Sequence, residues 1–431
     1  MKAIGAAASA AYASGSFGTG VFSTVPTVLL LYFCTETLKI PPGWAAAIVF
    51  IPKAWAIFWD PLVGSWSDGS VSPLGRRRPF LAVGAIGVVV AFVALFTPPV
   101  LPGWGEVAWV GCCYFALAAL YSIFAVPYIA IPAEIGEDEA SRARLVAWRI
   151  VVAMVGVLAG ASAAPLIVEA GGGGRAGYAV MALVIAAACG LAMAPPFLMM
   201  AGRDQPRERP SVSVRRPGLT AQMKAALQNS RFRNLLAAYV LQLTAVGLVT
   251  SAAPYLVVAI FSRPEGDTGL AMGAMLLATI VSVPFWTALA RRIGEARAYV
   301  GATLAFGLVT ALLGVGALAG APWGGELVAF ALIGLPFGGL QVLPFTLVAH
   351  LIHGDAGAQA EATFTGVWTS GEKLGLAFGP ALTGLALASA GGHMTVAVVI
   401  FLTVAPGALC LVSLHNLRSA GLSRRALEPA T

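Results

Sequence analysis

The stretch DPLVGSWSDGSVSPLGRRRP, residues 60–79, contains the end of one long apolar run at 44–66, a short polar turn, and the start of a second run at 79–98. A helix needs about 20 predominantly apolar residues to cross a lipid bilayer, and each run has that length. Basic residues concentrate in the cytoplasmic loops of membrane proteins, and three consecutive arginines end this turn. The stretch therefore predicts two antiparallel membrane helices joined on the cytoplasmic side.

The composition extends this prediction to the whole chain. Hydrophobic residues make up 58% of the 431 residues and charged residues only 10%, whereas soluble domains carry about 25% charged residues. The mean hydropathy is +0.85. So few charges cannot cover a soluble surface, which excludes a cytosolic enzyme, a disordered chain and a nucleic-acid-binding domain. Unbroken apolar runs favour helices over the alternating strands of a membrane barrel.

Twelve apolar segments predict an all-α membrane protein with twelve transmembrane helices. They lie at 8–34, 44–66, 79–98, 107–131, 145–168, 177–200, 234–260, 269–290, 299–319, 326–349, 363–389 and 393–414. The longest polar stretch follows the sixth segment. It divides the chain into an N-terminal six-helix bundle at 1–200, a cytoplasmic central loop at 201–233, a C-terminal bundle at 234–416 and a cytoplasmic tail at 417–431.

The distribution of basic residues predicts the orientation. With both termini cytoplasmic, 21 of the 26 Lys and Arg residues fall in inner loops or at inner helix ends, which is the bias expected of a membrane protein. Lys39, Arg175 and Arg263 fall in outside loops. The N-terminus shows no cleavage site, so we expect no cleaved signal peptide. Ala-rich usage and Arg in excess of Lys favour a bacterial source, and hence an integral protein of the plasma (inner) membrane.

The two halves have the pattern of parallel repeats. The fourth segment carries AVPYIAIPAEI around Pro127, and the tenth carries QVLPFTLVAHLI around Pro344. A short basic turn with glycine follows both the second segment, at 75–78, and the eighth, at 291–297. Two parallel six-helix repeats are the arrangement of major facilitator transporters.

Gly64, Asp68 and the arginines Arg76, Arg77 and Arg78 together resemble the cytoplasmic loop signature of the major facilitator superfamily. A glycine allows two helices to approach closely, and the aspartate can pair with the arginines. We predict from these five residues a cytoplasmic gate, a charge latch that stabilises the outward-facing state. The alternative is that the arginines only set the topology.

An acid and a base interrupt the second apolar segment. A carboxylate such as Asp60 costs about 2.5–3.5 kcal/mol in a membrane helix on insertion scales, so it is usually functional or paired. Lys53 lies seven residues earlier, on the same helix face but about 10 Å away along the axis, which is too far for a direct pair. Both can line one cavity. Alternatively, Asp60 lies near the cytoplasmic headgroups and belongs to the gate.

Longer motifs extend the resemblance over nearly the whole chain. They are YASGSFGTGVFSTVPTVLLLYFCTE in the first segment, KAWAIFWDPLVG in the second, YSIFAVPYIAIPAEIGEDEASRARLVAWR across the fourth and fifth, and EATFTGVWTSGEKLGLAFGPALTG in the eleventh. Together they resemble the glycoside–pentoside–hexuronide:cation symporter family, the melibiose-carrier branch of the major facilitators. The resemblance implies a secondary active transporter that moves a sugar or glycoside by alternating access.

The resemblance also implies roles for single residues. Asp60 matches an aspartate linked to cation binding, which makes it the predicted coupling residue. The predicted substrate-binding residues are Lys53, Tyr121, Ser122, Tyr128, Arg149, Trp368 and Lys373. Trp368, like Trp55 and Trp59, can stack on a sugar face or a lipid chain. Packing or interfacial anchoring is the alternative for each aromatic residue, and an inner-face topology role is the alternative for Arg149.

Acids that the family carries are replaced in this chain. Ala56, Ala125 and the pair Thr19-Gly20 stand where sodium-coupled or sugar-binding relatives have carboxylates. A dehydrated sodium ion wants several hard oxygen ligands, whereas a single carboxylate can carry a proton. We therefore predict proton coupling, or no coupling ion, in preference to sodium. The same losses remove strong hydrogen-bond acceptors for sugar hydroxyls. A lysophospholipid, another amphiphile or an organic anion is therefore the alternative substrate.

Other chemistry finds little support in the sequence. There is no HExxH, GxSxG or GxxxxGK[ST] motif, and the five cysteines form no CxxC pair. We expect no enzyme activity, no cofactor and no metal, and a monomer whose partners are a small-molecule substrate and the lipid bilayer. His350 and His353 suggest either a proton relay or two histidines at a cytoplasmic helix end. A pigment-handling protein that does not transport is the alternative from another functional class.

Overall fold

The structure is a computed structural model that describes residues 6–136, 138–202, 219–355 and 358–419. The side chains of 219–222, 225, 350–363, 365, 418 and 419 lie outside that description. The described residues form helices joined by short turns and contain no strand. The predicted all-α class is confirmed.

The N-terminal half holds six α-helices within its described residues. They are α1 (Ala6–Val25), α2 (Pro42–Asp68), α3 (Arg78–Phe96), α4 (Gly105–Ile135), α5 (Glu139–Ala170) and α6 (Gly174–Met199). Two π-helical segments, Pro26–Leu30 and Phe33–Thr37, follow α1.

The C-terminal half holds seven α-helices in the part of the chain that the structure describes. They are α7 (Leu219–Gln228), α8 (Ser230–Tyr255), α9 (Asp267–Ile293), α10 (Glu295–Ala319), α11 (Trp323–Asp355), α12 (Ala358–Ser389) and α13 (Val396–Ser419). A π-helical segment, Leu256–Ile260, continues α8.

The helix α7 departs from the predicted central loop at 201–233. Its sequence, LTAQMKAALQ, consists largely of strong helix formers, so it folds as a helix, and its ten residues are too few to span a membrane. Asn229 then caps α8, because its side chain accepts a hydrogen bond from the backbone N–H of Phe232 at 3.1 Å. Residues 203–218 of the predicted loop and most of the predicted tail at 417–431 lie outside the described residues.

Each of the twelve predicted apolar segments overlaps a helix. Within the described residues, ten of the helices are long and apolar enough to cross a membrane. The first and eleventh predicted spans, α1 and α12, are not among the ten. α1 is rich in Ala, Ser and Gly, and α12 carries Glu372 and Lys373 near its middle, so both have lower hydropathy than their neighbours.

The chain divides into two compact units. Unit 1 comprises Met1–Ser213 and Pro264–Gly269, and unit 2 comprises Val214–Arg263 and Leu270–Thr431. The six residues Pro264–Gly269 therefore pack in unit 1, although the sequence places them in the C-terminal bundle. In unit 1 a Cβ on Gly269 would lie 2.2 Å from a backbone oxygen of α5, so only glycine fits at this position.

Small residues let α1 and α5 cross closely inside unit 1. A Cβ on Gly20 would lie 2.4 Å from the carbonyl oxygen of Ala153, and a Cβ on Gly156 would lie 2.4 Å from that of Phe17. The two backbones are thus in direct contact, as is common where membrane helices pack through small residues. The helix α1 also packs on α6, and α3 packs on α4 and α6.

The same set of helix pairs recurs inside unit 2. There α8 packs on α12 and α13, and α10 packs on α11 and α13. The crossing of α8 and α12 is again made by glycine, because a Cβ on Gly379 would lie 2.2 Å from the carbonyl carbon of Gly247. The two units therefore share one internal packing plan, as the predicted parallel repeats require.

Proline accompanies the π-helical segment at the end of the first long helix in each unit. Pro26 begins the segment after α1, and Pro254 lies two residues before the segment after α8. Proline has no N–H to donate to the preceding turn, which loosens the helical hydrogen-bond pattern there. Single π turns are frequent at functional sites, and the segment in unit 1 carries Thr27, which accepts a hydrogen bond from Lys53.

Candidate functional site

The helix α2 has one face of large apolar side chains that are all exposed. They are Ile51, Trp55, Phe58, Leu62 and Trp66. Their spacing of three or four residues places them on a single stripe. Lys53 and Asp60 lie on the opposite side of the helix, where both side chains are partly buried. The two charged residues therefore face the interior of unit 1, and the apolar stripe faces outward as expected toward lipid.

Asp60 is held by a hydroxyl group from α4. Ser122, which is 2% exposed, donates to Oδ1 of Asp60 at 2.6 Å. The same hydroxyl lies 3.2 Å from the carbonyl oxygen of Ala118, its other possible acceptor. A hydroxyl can donate to an ionised carboxylate and accept from a protonated one. Ser122 can thus position Asp60 in both protonation states, which suits a residue that carries a proton.

Lys53 binds the π-helical segment that follows α1. Its Nζ donates to Oγ1 of Thr27 at 2.9 Å, and Thr27 donates in turn to the carbonyl oxygen of Ser23 at 2.8 Å. Within the described residues, Lys53 forms no salt bridge. An ammonium has three donors, so donors remain for a solute. Lys53 and Asp60 thus have different partners, in line with the prediction that they do not pair directly.

Tyr128 lies in a buried contact between α1 and α4. Its hydroxyl donates to the carbonyl oxygen of Tyr12 and lies 2.8 Å from Oγ of Ser16. The rings of Tyr12 and Tyr128 pack at 4.8 Å between centroids, and both side chains are buried. These contacts agree with the packing alternative for Tyr128, and its role in substrate binding stays a prediction.

Arg149 on α5 lies close to this tyrosine pair. Its guanidinium interacts electrostatically with the hydroxyls of both Tyr12 and Tyr128. The side chain is partly buried, and its Nε is buried without a hydrogen-bond partner among the described residues. An unsatisfied charged donor next to two hydroxyls is suited to bind an oxygen-rich or anionic group.

The other aromatic candidates of unit 1 contact neighbouring helices or the outer surface. Tyr121 donates its hydroxyl to the carbonyl oxygen of Thr19 at 3.4 Å. The indole N–H of Trp59 donates to the carbonyl oxygen of Ala119 at 3.0 Å. Trp55 belongs to the exposed stripe. Trp59 thus ties α2 to α4, and Trp55 faces the surroundings of the unit.

Three of the predicted gate residues, Asp68, Arg76 and Arg77, form a charge cluster at one end of α2, α3 and α4. Arg77, 4% exposed, donates to Oε1 of Glu134 at 2.6 Å and to Oδ1 of Asp68 at 2.6 Å. It also donates to Oγ of Ser67. Burial alone would lower the pKa of Arg77, but hydrogen bonds to Glu134 and Asp68, and their charges, raise it above its usual value. The guanidinium is therefore a fixed positive charge that joins α2 to α4 inside unit 1.

The three arginines of the turn have different partners. Arg76 donates to the same carboxylate oxygen of Glu134 as Arg77 does. Arg78 instead donates to the carbonyl oxygen of Phe197 at 3.2 Å, and its guanidinium lies 4.4 Å from the centroid of the Phe197 ring. Glu134, at the centre of this cluster, was missed in the sequence. The sequence offered only a weak signal, an acid at the end of an apolar segment on the same predicted side of the membrane as the three arginines.

The close helix contact expected at Gly64 is not found among the described residues. A Cβ at Gly64 would meet its nearest neighbour, Cγ1 of Val126, at 3.6 Å, an ordinary van der Waals distance. The close approach on α4 occurs instead at Gly84 of α3, where a Cβ would lie 2.6 Å from the backbone nitrogen of Phe124. The sequence therefore identified the turn correctly but assigned the close contact to the wrong glycine.

The candidates of unit 2 lie on α12. Trp368 is buried and stacks on Tyr239 of α8, with 4.3 Å between the ring centroids and an interplanar angle of 7°. Lys373 is partly buried and interacts electrostatically with its neighbour Glu372. The side chains of His350 and His353 lie outside the described residues, so the structure does not test their predicted roles. The described residues contain no cluster of three metal-binding side chains.

Known proteins resemble this chain along most of its length. A family model for MFS/sugar transport proteins matches residues 11–417. YagG of Escherichia coli (strain K12), proposed to be a glycoside/cation symporter, is 28% identical over 259 residues, which cover 59% of this chain and 55% of that protein. The sodium-dependent lysophosphatidylcholine symporter 1 of Xenopus tropicalis is 29% identical over 132 residues, which cover 30% of this chain and 25% of that protein. The chain thus spans about half, or less, of the length of these relatives.

The fold is similar to that of a solved transporter. The nucleoside transporter NupG superposes with a TM-score of 0.73 at 11% sequence identity, and the match covers 95% of this chain and 99% of that chain. At this identity the likeness concerns the fold alone.

Proposed function

The chain belongs to the MFS/sugar transport protein family and is an integral membrane protein, and from this premise we propose that it is a proton-coupled secondary active transporter. It moves a small organic solute by alternating access across twelve membrane spans, with both termini in the cytoplasm. It acts as a monomer in the plasma membrane, without a cofactor, and its source is bacterial. Transport is driven by an ion or solute gradient and involves no enzymatic step.

The hydrogen bond between Ser122 and Asp60 carries the proposal of proton coupling. It fixes a carboxylate on the interior side of α2, away from the exposed apolar stripe. A carboxylate at this depth is usually functional, because its insertion is costly. Ala56, Ala125 and Gly20 supply no further carboxylates at the positions where sodium-coupled or sugar-binding members of the resembled family have them. One carboxylate with a hydroxyl partner supports a proton better than a dehydrated sodium ion.

Lys53 and Arg149 support a solute that carries oxygen acceptors. Each presents donors that the described residues of unit 1 leave unused. A sugar or glycoside is the first substrate class, because the chain belongs to a sugar transport family. Hydroxyl and ring oxygens would accept from Lys53 and Arg149. In unit 2, Trp368 and Lys373 are the proposed substrate-binding candidates.

A lysophospholipid or other anionic amphiphile is the second candidate substrate. The observation that favours it is the positive charge of two unit 1 candidates, Lys53 and Arg149, combined with the partial similarity to a sodium-dependent lysophosphatidylcholine symporter. A phosphate or other anionic group at either residue would form charge-assisted hydrogen bonds, which are about twice as strong as neutral ones.

Flux into proteoliposomes tests the proposal. Purified protein is reconstituted, and uptake of a panel of neutral sugars, anionic sugars and lysophospholipids is measured with a pH gradient, with a sodium gradient and with neither. We expect accumulation of one solute class with the pH gradient alone. Accumulation driven only by sodium would overturn proton coupling. Absence of flux for every solute, together with tight binding of a pigment, would overturn the transporter itself.

A further inference from the structure

Glu372 is a carboxylate near the middle of α12, a helix of 32 residues. It is partly buried, and among the described residues it forms no salt bridge. Insertion scales make such a group costly in a membrane helix unless it is protonated, paired or functional. The function proposed above assigns it no role, so its presence needs an explanation of its own.

Two hydrogen-bond donors nearby have no acceptor among the residues that the structure describes. They are the hydroxyl of Tyr239 and the indole N–H of Trp368. Their side chains are 1% and 2% exposed. Buried donors are normally satisfied, because a donor removed from water without a replacement acceptor destabilises the fold. Two such donors on one stacked ring pair indicate that both bind an acceptor in another state of the protein.

The geometry brings these donors and the carboxylate together. Trp368 and Glu372 are four residues apart on α12 and therefore share a helix face. The ring of Trp368 lies parallel to that of Tyr239 at 4.3 Å. The hydroxyl of Tyr239 interacts electrostatically with Glu372. The contact between α8 and α12 thus holds one carboxylate and two unused donors.

Among the described residues, the titratable groups whose interactions reach Glu372 directly or through Tyr239 are few and mostly neutral. On α12 itself, Lys373 interacts electrostatically with Glu372, but adjacent residues on a helix point about 100° apart. On α10, Tyr299 interacts with Tyr239, and its own hydroxyl donates to Gln242. On α13, Cys410 interacts with Tyr299. Among the described groups that interact with Glu372, directly or through Tyr239, Lys373 is therefore the one positive charge.

We propose that Glu372, positioned by Tyr239 and Trp368, is a second proton-binding site, contained within unit 2. In the protonated state the neutral carboxyl group is the weaker acceptor, which agrees with the two ring donors having no acceptor among the described residues. In the ionised state the carboxylate accepts hydrogen bonds from the phenol and the indole, with the charge of Lys373 nearby. The proton passes between the carboxyl oxygen and water without any other chemical change.

The role of this site in transport rests on the proposed function, but proton binding can be measured without transport. Infrared difference spectra between acid and alkaline pH are recorded on the purified protein in lipid nanodiscs. The carbonyl stretch of a protonated carboxylic acid is the readout. We expect Glu372→Gln to remove one titrating component of this band. Tyr239→Phe and Trp368→Phe, which keep the ring stack, should each shift the midpoint of that component.

Glu326→Gln is the matched control. Glu326 of α11 is another buried carboxylate of unit 2, with an oxygen that has no partner among the described residues. In Glu326→Gln the titrating component of the carbonyl band that Glu372→Gln removes should still be present. Identical titrating bands in the wild type and in Glu372→Gln would overturn the proposal, as would midpoints unchanged in both ring variants. The spectra need no solute. If the protein shows no flux, the proposed transport function is refuted, but proton binding at Glu372 can still be measured.

Discussion

The hydroxyl of Ser122 donates to the carboxylate of Asp60 across 2.6 Å and so joins α4 to α2 inside unit 1. Asp60 is the predicted coupling residue, and Ser122 is one of the predicted substrate-binding residues. The hydrogen bond connects the predicted coupling residue with a predicted substrate-binding residue. A change in the charge of Asp60 therefore acts directly on α4, which carries Ser122.

Asp60→Asn is expected to abolish accumulation driven by a pH gradient. The amide oxygen still accepts the hydrogen bond of Ser122, so the fold is kept, but the amide cannot carry a proton. Solute binding should stay within about threefold of the wild-type value. Uptake into proteoliposomes and equilibrium binding are the two measurements. Glu139→Gln, at an exposed acid in the first turn of α5, is the control. Unchanged accumulation in Asp60→Asn would remove this residue as the coupling group.

Lys53→Met is expected to weaken the binding of an anionic solute by about 10–100-fold, the loss of one charge-assisted hydrogen bond. Thr27→Val is the comparison, because it removes the present partner of Lys53 and leaves the ammonium in place. That variant should bind the anionic solute within a few-fold of the wild type, as measured by calorimetry. Equal losses in the two variants would mean that Lys53 only ties α2 to the π-helical segment.

Glu134→Ala is expected to destabilise unit 1 strongly. It removes a carboxylate shared by Arg76 and Arg77, and Arg77 is almost fully buried. Removing one partner of a buried ion pair costs about 3–5 kcal/mol. Asp68→Ala should cost less than about 1 kcal/mol, because exposed ion pairs contribute little, and the Asp68 side chain is 55% exposed. Thermal unfolding in detergent measures both variants. An equal or larger loss in Asp68→Ala would contradict this ranking.

Gly379→Ala is expected to lower stability by about 1–3 kcal/mol, the usual cost of overpacking. The new methyl group would collide with the backbone of Gly247 where α8 and α12 cross. Gly366→Ala lies on the same helix, and a Cβ there meets no described atom within 4 Å. It should be neutral or slightly stabilising, because alanine is the better helix former. Similar unfolding temperatures for the two variants would contradict the close crossing.

Glu265 is expected to make the stability of unit 1 depend on pH. Burial raises its pKa, the hydrogen bond from Tyr178 opposes this, and the charge of Glu169 adds to it. Because the folded pKa is the higher one, this contribution to stability is fully present below about pH 4.3, the unfolded value, and is lost as pH rises through the folded pKa. Unfolding temperatures from about pH 4 to neutral pH should therefore fall less in Glu265→Gln than in the wild type. Unfolding temperatures that fall equally with pH in the wild type and in Glu265→Gln would contradict this prediction.

The positions of the helices and of two charged site residues could be predicted from short stretches of the sequence. Apolar runs located helices correctly along the chain, and single charges within them pointed to Asp60 and Lys53. Both lie on the interior side of α2, because the opposite side is a continuous apolar stripe. That division follows from helical periodicity alone.

Partners distant in sequence could not be predicted in this way. Glu134 pairs with Arg77 across 57 positions, and no local pattern links an acid in the last turn of α4 to an arginine in an earlier turn of the chain. Gly64 was chosen for its place in a motif, whereas close contact depends on which residue of the neighbouring helix faces it. The stacking of Trp368 on Tyr239 likewise depends on the crossing of α8 and α12.

The segment Pro264–Gly269 has a consequence for the order in which the protein is made. These six residues belong to unit 1 but are synthesised after α8. While the ribosome is still adding α8, Tyr178 has no Glu265 to receive its hydrogen bond. The N-terminal unit therefore reaches its final packing only after the chain has begun to build the next one. Residues that are made with the second half of the chain thus complete the packing of unit 1.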